Sequence, residues 1–227
     1  GYAILGPALR GQPLFTPGSG DTALPDYRCE GEIDDLPGET ADVLSGAREV
    51  ARRPAVRQGP FAILGHSYGA GVGLLTAVRS RSVACVVSYD AWFVNPFRYY
   101  WDRLRHGPNN WRSWEEFRKR PVVRQLAEMM RRSVCHQSEA LRCPLLLLIG
   151  GAYAGSVYHQ SHRDLTKRLE TLGRPFRYRE IPGGDHFFVL RTDSPPAETA
   201  FREHMTFLRS RFPPAAAESS TEQAHHE

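Results

Sequence analysis

The sequence has no apolar run approaching the roughly 18 residues that cross a bilayer, so stable membrane insertion is not expected. No secretory signal is visible. The chain opens at Gly1-Tyr2 without an initiator Met, from which we expect that an N-terminal segment is missing. Its cysteines, Cys29, Cys85, Cys135 and Cys143, form no CxxC pair and no metal-ligand spacing, which argues against a zinc centre or a redox dithiol. A reduced, cytoplasmic setting is the simplest expectation. Cys85 lies in the apolar run Val83 to Val87 and reads as a small buried hydrophobe. The net charge is +4, but its arginines are scattered rather than gathered in one tract. Without a recognition module, the mixture of Arg and Trp gives no nucleic-acid partner. No internal repeat is present.

What remains is an ordinary globular composition, 41% apolar and 24% charged over 227 residues, enough for one domain with a large core. We place that domain at residues 1–212. The Pro/Ala/Ser/Glu-rich tail, 213–227, is expected to be disordered. Short apolar runs at 2–5, 61–64, 83–89, 145–149 and 176–181 predict strands. Apolar stripes predict helices over about 39–53, 70–79, 160–172 and 197–212. Residues 10–37 read as a long surface loop. Strands alternating with helices imply an α/β fold, a mostly parallel central sheet with helices on both faces. Residues 97–140 break the alternation as a helical, aromatic-rich insertion of the kind that caps a site. Its aromatic residues, Phe97, Tyr99, Tyr100, Trp101, Trp111 and Trp114, suit either a substrate pocket or the insertion's own core.

The densest chemical signal is Gly65-His66-Ser67-Tyr68-Gly69, placed between the run Phe61-Ala62-Ile63-Leu64 and a helix rich in small residues. A Gly-x-Ser-x-Gly segment in strand–turn–helix context is a nucleophile elbow, with Ser67 at the apex of a strained turn. Gly65 and Gly69 lack the Cβ atoms that are expected to collide as the helix folds back on the strand. A serine hydroxyl needs a base. His186 is the best placed of the nine histidines, following a strand on a Gly-Gly-Asp loop. Ser67 and His186 both leave carboxyl ends of strands, where ligands gather in open parallel sheets. His66 is too close to Ser67 in sequence to be its base, and His159, His162 and His204 fall on helices. The N–H of Tyr68, the residue after the nucleophile, is the candidate oxyanion donor. A second donor is expected from a loop upstream of residue 1.

These motifs, with the run Leu145 to Gly151 and Pro182-Gly183-Gly184-Asp185-His186-Phe187, resemble the α/β-hydrolase family across nearly the whole chain. Gly1 to Gly11 is similar to the strand and Arg-Gly loop of its dienelactone hydrolase and prolyl-oligopeptidase-like branch. That branch carries its triad acid after the strand at 145–149, whereas Gly151-Ala152-Tyr153-Ala154-Gly155 has no carboxylate. Asp90, in Ser88-Tyr89-Asp90-Ala91-Trp92-Phe93, sits where platelet-activating-factor acetylhydrolases hold their acid, and the resemblance implies that it orients His186. Asp185 is adjacent to His186 and poorly placed, and Asp164 falls on a helix. Trp92, Tyr153 and Phe187 are the candidate substrate contacts.

The resemblance implies a serine hydrolase cleaving a carboxylic ester, of a small molecule or a lipid, through a Ser67 acyl-enzyme without metal or organic cofactor. A peptidase, an acetylhydrolase of phospholipase A2 type and a non-catalytic binding protein are the alternatives.

Overall fold

The computed structural model describes residues 1–12 and 29–214, with only the backbone at Tyr153. Much of the loop read at 10–37, and the tail from 215 on, lie outside those residues. Four strands, β1 (Phe61–His66), β2 (Val83–Tyr89), β3 (Leu145–Gly150) and β4 (Phe176–Ile181), form one parallel sheet in the order β1-β2-β3-β4. β2 (VACVVSY) and β3 (LLLLIG) are nearly continuous apolar runs because both of their faces are covered.

Helix α1 (Pro37–Ala51) precedes β1 and starts with Pro at its first position, where no N–H is needed. Helix α2 (Tyr68–Arg79) joins β1 to β2, and α3 (Pro96–His106), α4 (Trp114–Arg118) and α5 (Val122–Arg132) lie between β2 and β3. Helix α6 (Val157–Thr171) joins β3 to β4, and α7 (Pro195–Arg211) follows β4. Strand order equals chain order, and right-handed crossovers then put successive connections on the same side of the sheet. Val86, Leu145 and Leu147 accordingly pack with α2, α6 and the aromatic insertion. The alternate residues Cys85, Val87, Leu146 and Leu148 face α7.

Helix α7 presents Ala197, Ala200, His204 and Phe207 to the sheet, spaced at three and four residues as an amphipathic helix requires. It lies across β2, β3 and β4. On β1 the alternation puts Leu64 on the same side as Ala62, which packs with the α7 core, yet Leu64 is 57% exposed. One helix does not reach across four strands.

The segment 2–5 corrects a sequence expectation, since it forms no strand. A strand needs a paired neighbour, and these residues meet helices. Tyr2 stacks on Phe212 and donates its hydroxyl to that residue's carbonyl at 2.9 Å, Leu5 lies against Gly46 of α1, and Ile4 points into solvent. The insertion resolves in favour of its own core: Tyr99, Trp111, Trp114 and Phe117 are buried around Phe93, with Trp111 and Phe117 centroids 4.3 Å apart. Trp101 is the exception and is exposed.

Candidate active site

β1 ends at His66 and α2 begins at Tyr68, so Ser67 alone makes the turn, at φ 52° and ψ −116°. A non-glycine residue is held there only by its surroundings. Three backbone bonds do so: Ser67 N–H donates to the Tyr89 carbonyl at 2.8 Å, and the Ser67 carbonyl accepts from Gly71 at 3.1 Å and Trp92 at 2.9 Å. Gly65 is required, because a Cβ there would lie 2.5 Å from the Gly69 carbonyl. Gly69 is not, since a Cβ on it would meet nothing within 4 Å. The collision expected at both glycines occurs at the first only, the one on the strand side of the turn.

Ser67 Oγ lies 2.8 Å from His186 Nε2 although the two are 119 residues apart. The His186 loop is brought in by Gly150 at the end of β3, where a Cβ would stand 2.5 Å from the Gly184 carbonyl. The Ala152 N–H then bonds that carbonyl at 2.9 Å. His66, adjacent to the serine, holds the histidine from the other side: its Nε2–H donates to the His186 carbonyl at 2.6 Å, and the two rings are 5.0 Å apart. Burial is the main cause that pushes the His186 imidazole below its ordinary value, with neighbouring His66 adding to it. The ring is therefore neutral at neutral pH and able to accept a proton.

Asp90 follows β2, fully buried, with a left-handed φ of 46°. Its Oδ1 accepts the Gly150 N–H at 2.8 Å, and its Oδ2 is 3.9 Å from His186 Nδ1. That is longer than a direct hydrogen bond but within ion-pair reach of an imidazolium. His66, Asp90 and His186 also form a group with metal-ligand spacing, their ligand atoms lying within 4.8 Å of one another. Those residues already bond within the chain, through His66 Nε2 to His186, His186 Nε2 to Ser67 and Asp90 Oδ1 to Gly150.

Tyr68 is the first residue of α2, so its N–H has no acceptor inside the helix and stands at the positive end of the helix dipole. Its hydroxyl accepts the Leu36 N–H at 3.3 Å, and its ring stacks on Trp92 at 5.3 Å. Trp92, a candidate contact, is buried and stacked between Tyr68 and Phe93, so it backs the elbow from the core side. Phe187 is exposed, its ring edge-on to His186 at 5.0 Å. Tyr153 lies in the turn after β3, and its side chain is outside the described residues. Asp185 points away to Arg191 at 2.7 Å, and Asp164 is bound by Arg98 at 2.6 Å.

The sequence did not single out Tyr158 of α6. Its ring is 5.2 Å from that of His186, and its hydroxyl bonds Asn110 of the insertion. Burial pushes the phenol up to about 12. Nothing local marks Tyr158, because the contact depends on how α6 and the insertion meet.

The four-stranded parallel sheet and its helices have counterparts among known proteins. The alpha/beta hydrolase family model matches residues 2–203, and the chain belongs to that family. The fold is similar to the acylaminoacyl peptidase of Pyrococcus horikoshii, with TM-score 0.60 and 16% identity over 81% of this chain and 29% of the peptidase. It is similar to Porphyromonas gingivalis dipeptidyl peptidase 4, with TM-score 0.59 and 18% identity over 77% of this chain and 23% of that one. An esterase from the bacterial hormone-sensitive lipase family gives TM-score 0.58 and 19% identity over 82% of this chain and 64% of the esterase. The chain thus spans less than a third of the two peptidases. No curated protein matches in sequence.

Proposed function

We propose that this chain cleaves a carboxylic ester through an acyl-enzyme on Ser67. The observation that carries the reading is the 2.8 Å approach of His186 Nε2 to Ser67 Oγ at a turn the fold keeps strained. In this reading His186 takes the hydroxyl proton as Oγ bonds to the ester carbonyl carbon. The Tyr68 N–H stabilises the oxyanion, and the imidazolium formed next gives its proton to the departing alkoxide. Asp90, 3.9 Å away, stabilises that imidazolium across the carboxyl edge of the sheet. Water, deprotonated by the same imidazole, then attacks the acyl carbon and returns Ser67.

An alkoxide leaves more readily than an amine, so an ester asks less than a peptide of a histidine whose Asp90 carboxylate stands 3.9 Å away.

Labelling with a fluorophosphonate, located by mass spectrometry, tests the reading. Ser67 should be the modified residue, and its labelling rate should fall as pH drops below the ordinary imidazole value of 6.5, with a midpoint under it. Asp90→Asn keeps an acceptor for Gly150 while removing the charge, and should slow labelling by about 100-fold or more. A folded chain that takes no label would leave the non-catalytic binding protein as the better reading.

A further inference from the structure

Helix α5 is docked by its polar side. Arg132 is buried and reaches the Asp34 carbonyl at 3.2 Å, and Arg131 clasps the Asp34 carboxylate at 2.7 and 3.1 Å. Glu128 ties both arginines together from within the same helix. Among the aliphatic residues of α5 only Met129 is buried. Val122 is 80% exposed, Val123 71% and Leu126 49%, and Met130 is exposed as well. At 3.6 residues per turn these four fall on one arc. Helix α3, which packs against α5, exposes Trp101 and Leu104. An amphipathic helix in a soluble protein normally buries its apolar arc, and here that arc faces out.

The net charge around it is positive. Residues 96–132 hold ten Arg or Lys against four Asp or Glu, a surplus of six, while the whole chain has only +4, so the remainder is at −2. Arg105, Arg112, Lys119 and Arg124 are exposed and make no ion pair among the described residues. An aliphatic arc with an aromatic neighbour and a basic surround is the pattern of a helix lying in a membrane interface.

We propose that α5 and α3 form a docking surface for an anionic lipid bilayer. The apolar arc, with Trp101 and Leu104, enters the headgroup boundary, and the unpaired cations meet lipid phosphate and carboxylate groups. A second copy is the poorer occupant of the same face, because it would set two insertions of surplus positive charge against each other. The inference is independent of the hydrolase reading and is tested in Ser67→Ala as well as the parent chain, so lipid turnover does not enter the readout.

The measurement is co-sedimentation of the full chain with phosphatidylcholine vesicles, with and without phosphatidylserine. Binding should require phosphatidylserine, weaken with added salt, and fall about tenfold or more in Val123→Asp/Leu126→Asp at unchanged circular dichroism and melting temperature. Lys119→Gln/Arg124→Gln alters no apolar contact, and should weaken binding to the anionic vesicles even if the aspartate variant does not fold. Recovery of the parent in the supernatant with both vesicle types would overturn the proposal, as would binding unchanged by both double variants. Light scattering that shows a parent dimer dispersed by Val123→Asp/Leu126→Asp would overturn it too, by assigning the arc to a second copy.

Discussion

At the scale of single residues, the elbow separates two glycines that a motif treats alike. A methyl group at Gly65 would be driven against the Gly69 carbonyl and the backbone of Ala70, neither of which can give way without opening the turn. Gly65→Ala should therefore cost roughly 1–3 kcal/mol or more in stability and displace Ser67. Gly69→Ala has open space and sits within α2, so it should be neutral or gain up to about 1 kcal/mol. Chemical denaturation of the two variants against the parent checks the contrast, and equal losses would show that the turn is not packed as described. The same scale explains what sequence can carry. The turn at Ser67 was legible because Gly65 must be small for α2 to fold back on β1, and the place of His186 because a Gly-Gly turn after a strand puts a side chain at the carboxyl edge. Tyr158 was not, since its place beside His186 is fixed by α6 meeting Asn110, a contact 48 residues long in sequence.

At the scale of elements, α6 joins the site to a pH response. Its His162 is fully buried and bonds the Tyr158 carbonyl through Nδ1 at 2.8 Å, and burial pushes its imidazole down to about 4. The unfolded chain takes up this proton near 6.5 and the folded one only near 4, so acidification through that window favours unfolding. The loss from this one residue is roughly 3 kcal/mol by the bottom of the window. Burial lowers His204 in the same direction, so it adds to the effect. Melting temperature should fall between those pH values, and His162→Leu should flatten the fall. An unchanged slope would place the acid sensitivity elsewhere. Elements also show where reading a sequence stops. The runs that became β2 and β3 were plain because burial on both faces leaves few polar positions. Residues 2–5 have a similar composition, but being a strand depends on a partner, which composition does not record. The periodicity of α5 reveals an apolar arc without saying whether it faces in or out; the Asp34 bonds to Arg131 and Arg132 decide that.

At the scale of the whole molecule, the two faces of the sheet are covered unequally. One carries the crossover helices and the aromatic insertion, and the other depends largely on α7. Removing α7 should do more harm than its length suggests: a chain ending at Asp193 should bind a hydrophobic dye strongly and lose its cooperative melt, because Cys85, Val87, Leu146 and Leu148 lose their cover. A truncated chain that still melts sharply would mean that this face is supported otherwise. The arrangement also sets a timetable for synthesis. The strands and their crossovers leave the ribosome in the order in which they pair, so the sheet can assemble as it emerges. Its second face stays bare until the last helix is made. During that interval the nascent protein shows a chaperone the uncovered side chains of Cys85, Val87, Leu146 and Leu148, and a message broken before the codons of α7 would release a product already marked for disposal.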